Sequence, residues 1–167
     1  MAFHDDLLAQ ADHLASKERK RPKQASLRRA VSAAYYALFH LLIDDAVHFL
    51  VAGKQRDGLR RQLARAFEHG QMKQAARAFV APSPSGNPWR STLATAPSAS
   101  LIAVAEAFIA LQEQRHEADY DLSRTFTRSQ VQARISRARA AFASWSLVRG
   151  TEEADAFLLA LLVRGRA

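Results

Sequence analysis

Two short stretches of this sequence carry side chains whose types and spacing could do chemistry. In the first, Arg29, Ser32, Tyr36 and His40 lie at offsets of three, seven and eleven. On a helix these offsets fall on one side. A cation, a hydroxyl, a phenol and an imidazole would then share a face, a combination unusual for a helix that only fills a core. In the second, Arg115, His116, Asp119 and Tyr120 fall within six residues. Cleavage of RNA through its own 2′-hydroxyl needs a proton acceptor, a proton donor and a cation for the phosphorane. An arginine suits the cation as a bidentate phosphate ligand. A histidine titrating near neutrality suits the proton transfers. Tyrosine is a poor base near neutrality but can donate a proton or a hydrogen bond. Both stretches also have plain structural readings. Arg115 and Asp119 are four apart and fit an i,i+4 ion pair, and Tyr35 and Tyr36 fit core aromatics.

The elements that must position these residues are read from hydrophobic periodicity. Phe3, Leu7, Ala11 and Leu14 predict a first helix over residues 3–17. A basic link with Pro22 follows. From Ser26 to about Ala52, Leu27, Val31, Ala34, Leu38, Leu42 and Phe49 form one apolar stripe. A third helical region over 57–80 carries Leu59, Leu63, Ala66 and Phe67, with a break at His69–Gly70. Residues 81–98, with three prolines within Pro82–Pro88 and Pro97 beyond, read as a long loop without helix, either mobile or functional. Leu101, Val104, Ala105, Phe108 and Leu111 predict a fourth helix to about Ser123. Thr127 and Gln130 form a capping box that opens a fifth, with Val131, Ile135, Ala138, Phe142 and Trp145 inward and Gly150 at its end. Thr151 opens a short sixth helix carrying Phe157, Leu158, Leu161 and Leu162. The expectation is an all-α chain, an antiparallel bundle of four to five main helices plus a short C-terminal helix, in a single domain over 1–167.

The segment from Leu27 to His40 (LRRAVSAAYYALFH) and the segment from Arg115 to Asp121 (RHEADYD) together resemble the HEPN family, over roughly residues 5 to 145. The resemblance implies a four- to five-helix bundle that often dimerises. It also implies membership of a group with many metal-independent ribonucleases, found in toxin–antitoxin, CRISPR and phage-defence systems. Their motif is an Arg, four to six residues, then a His, with two copies facing each other across a dimer cleft. Arg115 matches the motif arginine. After four intervening residues, Tyr120 stands where the nuclease branch has His, and His116 directly follows Arg115. The catalytic set implied is therefore Arg115, His116, Asp119 and Tyr120, with a non-standard proton-transfer group. RNA and a homodimeric partner are implied. So is pairing with a nucleotidyltransferase-type protein, in which the domain would be a non-catalytic interaction module. A third reading is a nucleotide-binding bundle, with Arg29, Ser32, Tyr36 and His40 as the ligand-binding set and Arg115 joining Arg29, Tyr36 and His40 around a phosphate pocket between the second and fourth predicted helices.

Composition narrows these classes. The chain has 167 residues, a net charge of +8 and a pI of about 10.6, a balance that favours polyanionic partners. It contains no cysteine, which removes disulfides, thiolate metal sites and a cysteine nucleophile. Its six histidines are scattered without metal-ligand spacing, and no Gly-rich phosphate loop occurs, so neither metal nor cofactor is expected. The opening MAFHDDLLAQADHL is too acidic for a secretory signal, and no apolar run of roughly 20 residues stands out, so a cytoplasmic protein without a membrane partner is expected.

Overall fold

The computed structural model describes residues 2–83 and 86–163. Among them every regular element is helical: α1 Phe3–Ser16, α2 Gln24–Leu50, α3 Asp57–Ala64, α4 His69–Val80, α5 Pro88–Ser91, α6 Ala99–Tyr120, α7 Arg128–Val148 and α8 Glu152–Leu162. The all-α class is as the periodicity predicts. The helices fall into two compact units, residues 1–40 with 107–143 and residues 41–106 with 144–167.

The first unit holds α1, the N-terminal part of α2, the C-terminal part of α6 and most of α7. Its buried faces alternate alanine with larger residues. Ala30, Ala34 and Ala138 are fully buried beside Leu27, Val31, Leu38, Phe108 and Val131. Small side chains let helix backbones approach closely, and the large ones fill what remains. Three polar clamps close the helix ends. Arg28 donates to the carbonyls of Ala118 (2.8 Å), Asp121 (2.9 Å) and Arg124 at the end of α6. Arg128 donates to the carbonyls of Ala15 (3.1 Å), Arg19 (3.1 Å) and Glu18 at the end of α1. Gln24 pairs with both the N–H and the carbonyl of Phe126, at 2.8 and 2.9 Å. The Phe126 ring has the guanidinium of Arg28 5.6 Å and that of Arg134 5.2 Å from its centroid.

The second unit packs α4 and α5 against α8. Phe79 meets Phe157 edge-on at 5.1 Å. Trp145, 1% exposed, donates its indole N–H to Asp45 Oδ2, and Arg149 grips both oxygens of the same carboxylate. Glu153 of α8 accepts from the Ser98 N–H (2.7 Å) and hydroxyl (2.6 Å), fixing the start of α6.

The capping box of Thr127 and Gln130 forms in both directions, and Thr151 caps α8 through the Ala154 N–H. Gly150, at φ +80°, turns the chain out of α7. Other expectations need correction. The break in the third region lies at residues 65–68, and His69 and Gly70 begin α4 instead of interrupting it. None of α3 is buried, and Leu59 is 61% exposed; Phe67, in the break, is the buried residue. Phe49, placed on the apolar stripe of α2, is 42% exposed and sits in the last turn of that helix. The 81–98 stretch is not free of helix. Pro88 occupies the first turn of α5, where its missing N–H costs nothing, and Asn87 caps it through the Arg90 N–H. By length and composition α2 does reach the threshold for a membrane-spanning helix, with a mean hydropathy of 1.2 over 18 residues, 78% of them buried within the fold.

Candidate functional site

The chemistry-bearing residues of α2 and α6 meet in the first unit. Arg115 is 8% exposed. Its guanidinium lies 5.4 Å from the Tyr35 ring centroid and 5.7 Å from that of Tyr36, and Nη1 donates to Asp119 Oδ2 at 3.3 Å. The second oxygen of Asp119 accepts from the Ser32 hydroxyl at 2.6 Å. Arginine suits this place because a planar, weakly hydrated cation can lie on aromatic faces and bond a carboxylate at its edge. Burial works against the charge of Arg115, but Tyr36, Tyr35 and Asp119 outweigh it and hold the guanidinium above its ordinary value. Burial pushes the Tyr35 phenol upward, with Arg115 pulling the other way. Arg115 Nε is buried without a hydrogen-bond partner.

His40 stands off from this cluster. Its ring lies 4.9 Å from that of Phe3 and 6.2 Å from that of Tyr36. Burial, with His4 nearby, holds its pKa below the ordinary imidazole value. His116 and Tyr120 face solvent, with ring centroids 4.9 Å apart and Tyr120 67% exposed. The described partners of Arg115 are therefore Asp119 and the two tyrosines, and neither imidazole is among them.

Of the four residues aligned on α2, three open onto one groove. Arg29, Ser32 and Tyr36, with Ala33, form one wall; Leu7, Gln10 and Leu14 of α1 form the other, enclosing about 400 Å³. Arg29 is exposed, whereas Ser32 is 4% exposed and turned to Asp119. The groove combines an aromatic ring, apolar walls, an amide and a cation. That set suits a flat, partly polar ligand with a negative group. The α1 wall is not legible in the sequence, since Leu7 and Leu14 read as core positions and no pattern sets Gln10 apart. Nor is the role of Arg28, because nothing local separates a cation that caps a distant helix from its exposed neighbour Arg29.

Among the described residues no group of three or more His, Cys, Asp or Glu side chains is gathered to hold a metal ion. Comparison with family models, with curated proteins and with solved structures gives no match.

Proposed function

We propose that this chain is a HEPN-like, RNA-associated domain that binds without cutting, a degenerate relative of the family's ribonucleases serving stress response or defence. The observation that carries this reading is the state of Arg115. It is buried, stacked on two tyrosines and neutralised by Asp119, which is itself held by Ser32. To grip a phosphate it would have to leave both aromatic faces and a carboxylate whose side chain is 25% exposed, and parting such a half-buried pair costs about 1–3 kcal/mol. The position that would supply a motif imidazole holds Tyr120, which points to solvent. The charge of +8 supports a polyanionic partner and is indifferent to catalysis.

The test is incubation of the purified protein, in EDTA, with a mixed RNA pool, beside the Arg115→Ala variant. The expected result is retention of intact RNA with no cyclic phosphate ends. Cleavage that disappears with Arg115→Ala would overturn the reading and return Arg115 to a catalytic role.

The groove lined by Arg29, Ser32 and Tyr36 favours a second reading, a site for a free nucleotide, with the base against Tyr36 and the phosphate at Arg29. A ligand that binds only the folded state raises the melting temperature by mass action. Millimolar nucleotide that shifts the wild type but not Tyr36→Ala would support it; no shift with any nucleotide would remove it.

A further inference from the structure

The link between α1 and α2 has its own architecture. Residues 17–23 contain five cations, Lys17, Arg19, Lys20, Arg21 and Lys23, and every one is exposed. The single acid among them, Glu18, is committed to local bonds. Its carboxylate accepts from the Ser26 hydroxyl at 2.8 Å and from the Lys23 N–H at 3.3 Å, and the Ser26 bond leads in holding its pKa below the ordinary value, with Lys17 and Lys23 close enough to help lower it. A seven-residue link of this composition would ordinarily sample many conformations. Here Arg128 fixes its beginning through the carbonyls of Ala15, Glu18 and Arg19, and Glu18 bridges to its end. The carbonyls of Glu18 and Arg19, the Lys23 N–H and the one carboxylate of the link are thus used internally, while its five cations stay exposed.

We infer that this Arg128-anchored turn, Lys17 to Lys23, is a landing surface for the phosphate backbone of a single-stranded nucleic acid whose bases enter the α1–α2 groove. The inference rests on the RNA-associated reading above and gives it a surface away from Arg115. Charge complementarity selects a polyanion. Chain connectivity makes the choice narrower: the turn joins the ends of α1 and α2, so it lies at the end of the groove nearer Leu14 and Arg29. A strand tracking the cations toward Arg29 reaches the Tyr36 ring and the apolar walls of Leu7 and Leu14. Cations along a backbone with an aromatic face for a splayed base is the arrangement by which single strands are held without sequence readout. A duplex keeps its bases stacked and has nothing to offer the groove.

The experiment is fluorescence anisotropy with a labelled single-stranded RNA and a blunt RNA duplex across a salt series. It compares the wild type with a turn variant, Lys17→Ser with Arg19→Ser, Lys20→Ser and Arg21→Ser. A charge-matched control carries Lys54→Ser with Arg56→Ser, Arg61→Ser and Arg65→Ser, four exposed cations of the second unit. Circular dichroism confirms that each variant is folded. The expected result is single-strand binding by the wild type that weakens about tenfold or more in the turn variant, with little change in the control. The salt slope of the turn variant should be shallower by about 0.7 for each phosphate that it no longer neutralises. Equal losses in the two variants would overturn the assignment in favour of bulk charge. Wild-type binding retained in full by the turn variant would overturn the surface alone. Preference for the duplex would overturn the single-strand assignment. No RNA binding by the folded wild type would overturn the RNA-associated reading as well. Turn-dependent binding to phosphatidylserine vesicles with none to RNA would replace the nucleic acid by a membrane surface.

Discussion

The hydroxyl of Ser32 donates to Asp119 Oδ1 at 2.6 Å across 87 positions of sequence, and through that carboxylate it helps hold the cation of Arg115. The site is therefore one polar network shared by α2 and α6.

Asp119→Ala should be the most damaging change in that network. It strands a guanidinium that is 8% exposed and leaves the Ser32 hydroxyl without its acceptor. Because the Asp119 side chain is itself 25% exposed, a loss of about 1–3 kcal/mol is expected in urea denaturation. Arg115→Lys should recover little of the stability lost in Arg115→Ala, because an ammonium replaces neither the stacking on Tyr35 and Tyr36 nor the planar donor edge. A lysine variant as stable as the wild type would show that charge alone matters there.

His40 makes stability depend on pH. Burial, with His4 adding to it, lowers the folded-state pKa from 6.5, so below that value the unfolded chain binds more protons than the folded one. The contribution is complete above pH 6.5 and is lost as pH falls through the lower folded-state value. Melting temperatures measured from pH 8 to pH 5 should fall less steeply in His40→Gln than in the wild type. Parallel curves would remove His40 as the cause.

Asp45→Ala should weaken the second unit by about 1–3 kcal/mol, because the indole N–H of Trp145 is left inside without an acceptor. The Arg149 side chain, half exposed, can turn to water and adds little to that loss. Tryptophan fluorescence during unfolding provides the readout; Asp45→Asn, which keeps an acceptor oxygen, should lose less than Asp45→Ala.

Gly150→Ala should cost about 1 kcal/mol by thermal denaturation. Nothing lies within 4 Å of the added methyl, so the cost isolates the φ of +80°. An unchanged melting temperature would mean that the turn after α7 relaxes freely.

The parts of this fold that the sequence makes legible are those governed by one repeat. In α6, Leu101, Val104, Ala105, Phe108 and Leu111 lie at helical spacing, and all are buried completely. Their positions follow from geometry within a single element. The short helix α5 is hidden because Pro88 sends opposite signals according to place, stopping a helix from within and starting one from its first turn; only the Asn87 bond to Arg90 shows which applies. Leu59 fits an apolar repeat and is nevertheless exposed, since α3 has no buried face to which the repeat could refer.

The site divides along the same line. The ion pair of Arg115 and Asp119 is visible as an i,i+4 spacing. Its lock is not, because Ser32, Tyr35 and Tyr36 come from a helix some eighty residues earlier, and no local pattern records which distant faces meet. The alignment of Arg29, Ser32, Tyr36 and His40 is visible too, yet the groove takes only the first three. Phe3 occupies the ring of the fourth.

Arg28 and Arg128 give the end of this chain's folding a particular order. The carbonyl ends of α6 and α1 are closed by guanidinium groups from residues about ninety and more than a hundred positions away. A fragment containing α1 alone, or α6 alone, carries the helix but not its stopper. Such fragments should fray from their C-terminal ends, and in the whole chain the amides there should gain exchange protection only when the distant arginine arrives. The last turns of these two helices would then be among the latest parts of the molecule to set.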